Sequence, residues 1–352
     1  MGNFLFVSTP VGAIGSGIGG GVELGLQNTA LALQQKGHRV KILAPEGSLA
    51  SGFELETVPG VWQSSAQTMD WDSPILMEES GVLVNLWERA RLLQTQYDLI
   101  FNYAYDWLPF YLTPFFETPV AHAVSMAAIN VTMKRMVQKV YQQFPERLSF
   151  LSHAQAATFG LTTGYHCVPY GIDLSLYEFC AQPLDYVAWV GRISPEKGLE
   201  DAIAACQQKG QSLRIYGKLQ DPDYWQRLQA DFPEAPVQYC GFLSTQALQE
   251  ELRQSRALLM TSRWVEAFGN VVIEALACGV PVISYARGGP AEIIQQGITG
   301  LLVEPDNVDE LRQALHNIDQ LDRQACRQQA KHYYSLPAIA DQLESWFRAI
   351  LS

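Results

Sequence analysis

The chain has 352 residues, 48% of them hydrophobic, a net charge of −12 and a pI near 5.0. This length suffices for two domains with separate cores, and the negative charge disfavours nucleic acid as a partner. No run of eighteen apolar residues and no signal-like leader occur, so we expect a cytoplasmic protein without stable membrane insertion. The oligomeric state stays open.

Apolar, β-rich runs alternate with helical patterns along the whole chain. In the first half a helix from about Gly21 to Lys36 follows the first of five predicted strands, which cover residues 3–8, 39–43, 98–102, 119–123 and 148–151. A turn-rich linker at 169–183 precedes five more, at residues 186–190, 213–216, 237–240, 257–261 and 281–285. Buried strands joined by crossover helices predict parallel sheets, so the expected class is α/β with two doubly wound domains. The amphipathic segment 336–351 predicts a final helix that covers an apolar surface.

A glycine-rich run, GSGIGG at 15–20, lies between the first strand and the first helix. It satisfies the GxGxxG pattern of dinucleotide sites, so a dehydrogenase is one alternative. The dinucleotide fingerprint turns tightly out of its strand, however, and here seven positions separate Ser8 from the run. The longer loop favours the wall of a binding cleft, and a purely structural loop is the further alternative. In the cleft interpretation a phosphate or sugar would face the backbone at Gly19, Gly20 and Gly21.

Two cations follow the strand predicted at 186–190, in the loop GRISPEKG at 191–198. Arg192 and Lys197 would lie at the carboxyl edge of the sheet, where open α/β folds bind ligands, and two cations there suit a diphosphate. The alternative is an ordinary solvated turn.

Glu266 and Glu274 lie eight residues apart around the start of a helix predicted from Gly269 and Asn270. A carboxylate in the first turns of that helix could accept hydrogen bonds from two hydroxyls, such as those of a ribose. Either glutamate could instead be a surface acid.

Two DxD triplets, at 70–72 and 221–223, raise the alternative of a divalent metal. Neither follows a strongly buried strand, and Asp221 and Asp223 fall at a helix start, where aspartates commonly cap. Because Arg192 and Lys197 already supply positive charge, we expect no metal and no cofactor. The six cysteines include no CxxC pair and are expected to be core thiols.

Large aromatic side chains are frequent between residues 62 and 107, and we expect some to be exposed in a cleft that binds a planar ring. Core packing is the alternative. The candidate acceptor residues are Asn102, Tyr103, Tyr105, Asp106 and Trp107.

Four motifs together resemble one family: GGGVE at 19–23, VPYGID at 168–173, VGRISPEKG at 190–198, and the pair Glu266 and Glu274 followed by ALACGVPVIS. They resemble the GT-B retaining glycosyltransferases of glycosyltransferase family 4. The resemblance implies two Rossmann-like domains facing across a cleft. It assigns residues 1–168 and a crossover helix at 335–352 to the acceptor domain, and residues 169–334 to the domain that binds a UDP-sugar.

The resemblance also implies roles for single residues. Arg192 and Lys197 would hold the donor diphosphate, Glu274 the ribose and Glu266 the sugar hydroxyls. His122 matches the active-site histidine of the family. Further donor contacts are expected at Gly191, Phe268, Gly269, Asn270 and Val271.

The implied reaction is metal-independent transfer of glucose from UDP-glucose, with retention, to a small acceptor. The first forty residues and the glycine run look most like the family's glucosyltransferases for tetrahydrobiopterin, which implies a side-chain hydroxyl of a reduced pterin as acceptor. The alternatives are a different acceptor or sugar, a UDP-sugar epimerase, a non-catalytic sugar-nucleotide-binding module and an NAD(P)-dependent dehydrogenase.

Overall fold

The computed structural model describes residues 1–16, 20–68, 70–73 and 79–352, so the predicted donor contact at Gly19 lies outside the described residues. The chain divides into two compact units, unit 1 with residues 1–171 and 336–352, and unit 2 with residues 172–335. Each unit is built on one parallel sheet with helices between its strands, which confirms the predicted α/β class.

Within the described residues unit 1 has a seven-stranded sheet in the order β3-β2-β1-β4-β5-β6-β7. Its strands are β1 (Asn3–Val7), β2 (Arg39–Pro45), β3 (Glu54–Val58), β4 (Leu99–Asn102), β5 (Val120–Val124), β6 (Leu148–Phe150) and β7 (His166–Cys167). The helices between them are α1 (Gly20–Gln35), α2 (Val82–Leu93), α3 (Trp107–Leu112), α4 (Val131–Gln143) and α5 (His153–Thr158).

Unit 2 repeats this plan, with a sheet in the order β10-β9-β8-β11-β12-β13. Its strands are β8 (Val187–Val190), β9 (Leu213–Tyr216), β10 (Val237–Tyr239), β11 (Leu258–Met260), β12 (Val282–Tyr285) and β13 (Gly300–Val303). Its helices are α6 (Leu199–Lys209), α7 (Pro222–Asp231), α8 (Thr245–Leu252), α9 (Asn270–Ala277), α10 (Gly289–Ile293), α11 (Val308–Asn317) and α12 (Arg323–Tyr334).

The order of the strands determines where a ligand can reach each sheet. Every residue of β4 and β5 is buried, as expected for strands covered by helices on both faces. In unit 1 the strand order reverses between β1 and β4, and in unit 2 it reverses between β8 and β11. The loops that leave the carboxyl ends of these strands therefore lie at the usual ligand-binding edge of such folds.

The final helix, α13 (Leu336–Leu351), packs on unit 1 and completes its core. The ring of Phe347 lies 5.1 Å from that of Phe4 and 5.3 Å from that of Phe101. The indole of Trp346 donates a hydrogen bond of 2.6 Å to the carbonyl oxygen of Glu146. The amphipathic pattern of segment 336–351 thus reflects an apolar face buried inside unit 1. No helix in the described parts of the chain has the length and apolar character needed to cross a bilayer.

Candidate functional site

The loop after β8 begins with a close approach between two glycines. The amide of Gly191 donates a 3.0 Å hydrogen bond to the carbonyl oxygen of Tyr216. Gly217 has a φ of 143°, and a Cβ there would lie 1.8 Å from the carbonyl oxygen of Gly191. Only glycine permits this contact, which holds the loops after β8 and β9 side by side at the carboxyl edge.

Arg192 and Lys197 both lie against the indole ring of Trp264. The guanidinium carbon is 5.7 Å from the ring centroid and the Lys197 Nζ is 4.9 Å from it. The turn between the two cations ends at Gly198, whose φ is 62° and where a Cβ would lie 2.2 Å from the carbonyl oxygen of Thr261. The structure therefore brings the two predicted cations together around one aromatic ring.

Each of these cations has a carboxylate partner. Lys197 forms an ion pair with Glu266, and both side chains are largely buried. Arg192 Nη2 lies 3.1 Å from Glu196 Oε1. Burial alone would raise the pKa of Glu266, but the Lys197 ammonium and a 2.8 Å hydrogen bond from the Ser262 hydroxyl hold it below its ordinary range. Glu266 is therefore a buried carboxylate that stays ionised.

The backbone around Glu266 is fixed by a second glycine pair, which the sequence interpretation missed. The amide of Gly289 donates a 2.8 Å hydrogen bond to the carbonyl oxygen of Glu266. A Cβ on Gly288 would lie 2.6 Å from the same oxygen, and a Cβ on Gly289 2.5 Å from Phe268 Cα. The signal was available, since Gly288 and Gly289 lie in the short loop after β12 and precede a proline.

Helix α9 starts beside this loop and carries the remaining predicted donor contacts. Gly269 caps it with a φ of 96°, Asn270 is its first residue, and Val271 is half-buried. Phe268 is buried, with its ring 6.0 Å from that of Tyr334.

Glu274, one turn into α9, is also buried, and the Tyr177 hydroxyl donates a hydrogen bond of 3.5 Å to it. Burial raises the pKa of Glu274 to about 7. The two glutamates of the predicted pair therefore differ: Glu266 is kept ionised by a cation, whereas Glu274 is partly protonated at neutral pH.

In unit 1 the described part of the glycine-rich run ends at the N-terminus of α1. Gly15 has a φ of 92°, and its amide donates a hydrogen bond to the Glu23 carboxylate on the first turn of the helix. Gly20 and Gly21, the first two residues of α1, are exposed, and a Cβ on Gly20 would have nothing within 4 Å.

His122 does not have the placement that the resemblance implied. It is the middle residue of β5 and fully buried, and its ring stacks on Phe110 at 4.2 Å. Both ring nitrogens are occupied, Nδ1 at 3.1 Å from Asn102 Nδ2 and Nε2 at 2.8 Å from the Thr113 hydroxyl. Burial lowers the pKa of His122 to about 3. We therefore correct the assignment: His122 is a neutral core histidine that joins β4, β5 and the end of α3.

The predicted acceptor residues also divide into core and surface. Asn102 is buried and exchanges two 3.0 Å hydrogen bonds with the backbone of Ala104. Tyr103 is 1% exposed, and Tyr105 is 8% exposed with its hydroxyl donating to the Ala127 carbonyl at 2.6 Å. Rings enclosed in this way offer no face for stacking, so the expectation that Tyr103 and Tyr105 stack on an acceptor is not supported by their placement.

Asp106 and Trp107 keep accessible surface. Asp106 caps α3 by accepting a 3.2 Å hydrogen bond from the Leu108 amide, and burial raises its pKa to about 6. Two of the five predicted acceptor residues therefore remain available to a ligand.

One polar side chain at the carboxyl end of β5 was missed. Ser125 is 8% exposed, and within the described residues its hydroxyl has no hydrogen-bond partner. The carbonyl groups on either side of it, at Val124 and Met126, accept hydrogen bonds of 2.6 and 2.8 Å from the Gln155 side chain. A serine that ends a buried strand at the ligand-binding edge was the available signal.

Candidate metal ligands are few. Asp221 caps α7 by accepting a 2.8 Å hydrogen bond from the Tyr224 amide, as predicted from its position. Across the described ranges no three His, Cys, Asp or Glu side chains are grouped so that they could hold a metal ion. Metal independence itself stays a prediction.

Comparisons with known proteins agree with this geometry. Residues 182–333 match the family model for glycosyl transferases group 1. Glycogen synthase of Mycobacterium tuberculosis is 32% identical over 160 residues, which are 42% of this chain and 38% of that protein. The matched stretches span 6–14% of three other curated relatives, so this chain matches only a minor part of each relative's length.

Two solved structures resemble the chain over almost its full length. Anabaena Alr3699/HepE, solved in complex with UDP and glucose, has a TM-score of 0.77 at 19% identity and covers 99% of this chain and 100% of its own. Sucrose-phosphate synthase from Thermosynechococcus elongatus has a TM-score of 0.78 at 19% identity and covers 99% of each chain. The chain therefore has the GT-B fold of two Rossmann-like domains, and its residues 182–333 are similar to the glycosyl transferases group 1.

Proposed function

We propose that this chain transfers a glucosyl group from UDP-glucose to a hydroxyl of a small acceptor, with retention at the anomeric carbon. The observation that carries the proposal is the arrangement of Arg192 and Lys197 around Trp264, with Glu266 paired to Lys197. A diphosphate requires cationic donors and a sugar requires carboxylate acceptors, and both lie at one sheet edge within the residues that match the group 1 family. The complex of Alr3699/HepE with UDP and glucose supports this choice of donor.

In the proposed reaction the bond between the anomeric carbon and the diphosphate oxygen breaks, and its electron pair leaves with the diphosphate. Arg192 and Lys197 stabilise the negative charge that develops on the leaving group. The acceptor oxygen forms the new bond on the same face of the sugar, and its proton passes to the departing phosphate oxygen. The products are an α-glucoside and UDP. This route differs from the double displacement that retaining glycosidases perform with two carboxylates.

In the proposed reaction each cation exchanges its carboxylate partner for phosphate when the donor binds. The donor diphosphate would draw Lys197 away from Glu266 and Arg192 away from Glu196. The released Glu266 carboxylate can then accept hydrogen bonds from sugar hydroxyls, and Glu274 can accept them from the ribose. Donor binding therefore exchanges internal carboxylate partners for phosphate oxygens.

For the acceptor we propose a side-chain hydroxyl of a reduced pterin such as tetrahydrobiopterin. The likeness of the first forty residues to glucosyltransferases for tetrahydrobiopterin supports it, and Asp106 and Trp107 supply a carboxyl group and an aromatic surface for a planar ring. A sugar acceptor is the second candidate, because the named relatives include glycogen synthase and sucrose-phosphate synthase.

The test is incubation of the purified chain with radiolabelled UDP-glucose and a panel of pterins, sugars, lipids and flavonoids. We expect a glucosylated pterin whose anomeric proton coupling in NMR shows an α-linkage. Label on a sugar or lipid and none on any pterin would refute the proposed pterin acceptor, but it would still support a glycosyltransferase. A β-linked product would refute retention.

Three further readouts separate the remaining alternatives. An epimerase would interconvert UDP-sugars without acceptor, and a binding module would retain UDP-glucose without releasing UDP. A dehydrogenase would change the absorbance of NADH.

A further inference from the structure

A row of aromatic rings runs along α3 and into the turn that follows it. The ring of Trp107 lies 6.0 Å from that of Tyr111, which in turn lies 5.5 Å from the ring of Phe115. Tyr111 is 42% exposed and Phe115 is 64% exposed. These rings are four residues apart, so they project from one side, and exposed apolar groups that adjoin in this way mark interaction surfaces.

Helix α4, which packs beside α3, is basic in an acidic protein. It carries Lys134, Arg135 and Lys139 and no acidic residue. Residues 107–143 include one acid, Glu117, so their net charge is 3 − 1 = +2, and the rest of the chain carries −12 − 2 = −14. Helix α4 is therefore locally positive because it lacks acids, within a chain whose other residues are strongly negative.

The cations and the rings form one surface. Met133, Val137 and Val140 bury the inner side of α4, which leaves Arg135 and Lys139 exposed on its outer side. Lys134 is half-buried, with its Nζ 6.0 Å from the centroid of the Trp71 ring. Lys139 Nζ lies 5.4 Å from the centroid of the Tyr111 ring. In the described parts of the chain, no carboxylate lies within ion-pairing distance of the three cations. We name the exposed side chains Tyr111, Phe115, Arg135 and Lys139 the α3–α4 surface.

We propose that the α3–α4 surface docks the protein on an anionic lipid bilayer. Lysine and arginine side chains can extend to lipid phosphates while their stems cover apolar area, and a tyrosine places its ring in the apolar zone with its hydroxyl in water. Phe115 supplies the apolar group that enters the boundary between headgroups and acyl chains. Docking of this kind requires no membrane-spanning helix.

A bilayer fits these side chains better than a protein partner. Binding of an acidic peptide helix requires a groove with anchor pockets, whereas here the most exposed ring, Phe115, projects into solvent beside dispersed cations. The large negative charge elsewhere on the chain opposes approach to an anionic membrane in any other orientation. Binding should therefore be oriented, and it should weaken when salt screens the surface charge.

Co-sedimentation of the full chain with vesicles tests the proposal. We expect binding to vesicles of phosphatidylcholine with about one third phosphatidylglycerol, and none to phosphatidylcholine alone. Each cation near an anionic surface contributes roughly a fivefold factor in affinity, so the double variant R135E/K139E should partition at least about tenfold less. Phe115→Ser should also weaken binding, by removing the apolar contact.

The matched control is R227E/K331E, which makes the same change in net charge at two exposed positions of unit 2. It should bind vesicles nearly as well as the unaltered chain, and both double variants should transfer glucose from UDP-glucose to a soluble acceptor at the unaltered rate. Absence of vesicle binding, or equal loss in both double variants, would overturn the proposal. Sedimentation velocity tests whether a second copy of the chain binds this surface instead. If the chain does not bind vesicles but forms dimers that R135E/K139E abolishes, the surface is a dimer interface.

Discussion

Lys197 and Glu266 form an ion pair in which the two side chains are only 16% and 12% exposed. A buried ion pair is costly to desolvate and strongly destabilising when one partner is removed. Its presence at the carboxyl edge of the unit 2 sheet is therefore difficult to explain by stability alone. In the proposed function the pair keeps Lys197 at this edge, where it can bind an anionic ligand.

Replacement of Lys197 or Arg192 by alanine should lower kcat by roughly 10²–10³, the scale of one lost donor to a developing negative charge. Lys197→Ala leaves Glu266 as an unpaired buried charge, so the variant should also unfold at lower denaturant concentration. The double variant K197A/E266Q should recover stability without recovering turnover, and Arg312→Ala, at a partly exposed ion pair, serves as the control. Steady-state kinetics and urea titration measure both effects. Turnover within about threefold of the unaltered enzyme would remove the cations from the mechanism.

Glu196→Gln should lower the KM for UDP-glucose, because the diphosphate then binds Arg192 without breaking its ion pair with Glu196. Partly exposed ion pairs contribute about 0.2–1 kcal/mol, which predicts a decrease of up to about fivefold. The exposed Glu234→Gln variant makes the same change in charge on unit 2 and should leave KM unaltered. A raised KM in Glu196→Gln would mean that Glu196 positions the guanidinium instead of competing for it.

Glu274 should make the folded protein less stable as pH rises. Because burial raises its pKa from 4.5 to about 7, the native state retains a proton that the unfolded chain has released between these values. The stabilising contribution is therefore complete below about pH 4.5 and lost as pH rises through 7, with a total of about 3 kcal/mol. Denaturation of Glu274→Gln, which stays neutral, should show equal stability at pH 4 and greater stability than the unaltered protein at pH 8. Parallel curves for the two proteins would contradict the shifted pKa.

The same shift predicts the pH dependence of donor binding. Ribose hydroxyls donate to the ionised carboxylate more strongly than to the acid, so affinity for UDP-glucose should increase with pH up to about 7 and then level off. Calorimetry should show proton release on binding, and Glu274→Gln should abolish that release.

His122→Ala should affect stability more than catalysis. It leaves a cavity beside Phe110 and removes partners of Asn102 and Thr113, for an expected loss of about 2–4 kcal/mol. Because the pKa of His122 is lowered from 6.5 to about 3, its contribution is present above about pH 6.5 and is lost as pH falls towards 3. The exposed His316→Ala variant should change stability by less than about 0.5 kcal/mol. A hundredfold loss of kcat in folded His122→Ala would return this residue to the active site.

Activity should persist in excess chelator, because in the proposed reaction Arg192 and Lys197 supply the positive charge that a divalent cation would otherwise place beside the diphosphate. Rates measured with EDTA and after addition of magnesium or manganese test this directly. Loss in EDTA with recovery on adding metal would require ligands, and the DxD triplets at 70–72 and 221–223 would be examined first by alanine substitution.

The sequence was sufficient to predict the fold because its strands are continuous apolar runs between glycine and proline turns. β3 and β7 were not predicted, since β3 is polar and at the sheet edge and β7 has two residues. β13 was also missed, although it is as long as the predicted strand β8. In the donor region Arg192, Lys197 and Glu266 were found because they lie in loops that follow predicted strands, and Glu274 because it lies in the helix after such a loop. Gly288 and Gly289 were missed because their role is a backbone contact with Glu266 and Phe268, which neither pattern nor charge reveals.

The acceptor region was harder to predict because aromatic composition does not distinguish a ring in the core from a ring at the surface. Tyr103 and Tyr105 follow β4 as closely as Arg192 follows β8, yet both are enclosed. His122 likewise lies in β5, where every residue is buried. Its match to the active-site histidine of the family therefore did not show whether a ligand can reach it.

The assignment of α13 to unit 1 has a consequence for biosynthesis. Unit 2 is continuous from residue 172 to residue 335, and the amide of Ile172 at its start bonds the carbonyl of Tyr334 near its end at 2.8 Å. During translation all of unit 2 is therefore synthesised before Phe347, the residue that packs on Phe4 and Phe101 in unit 1. The half of the protein that is translated first is thus the last to be able to close its core, and until then its exposed sheet face is the part most in need of a chaperone.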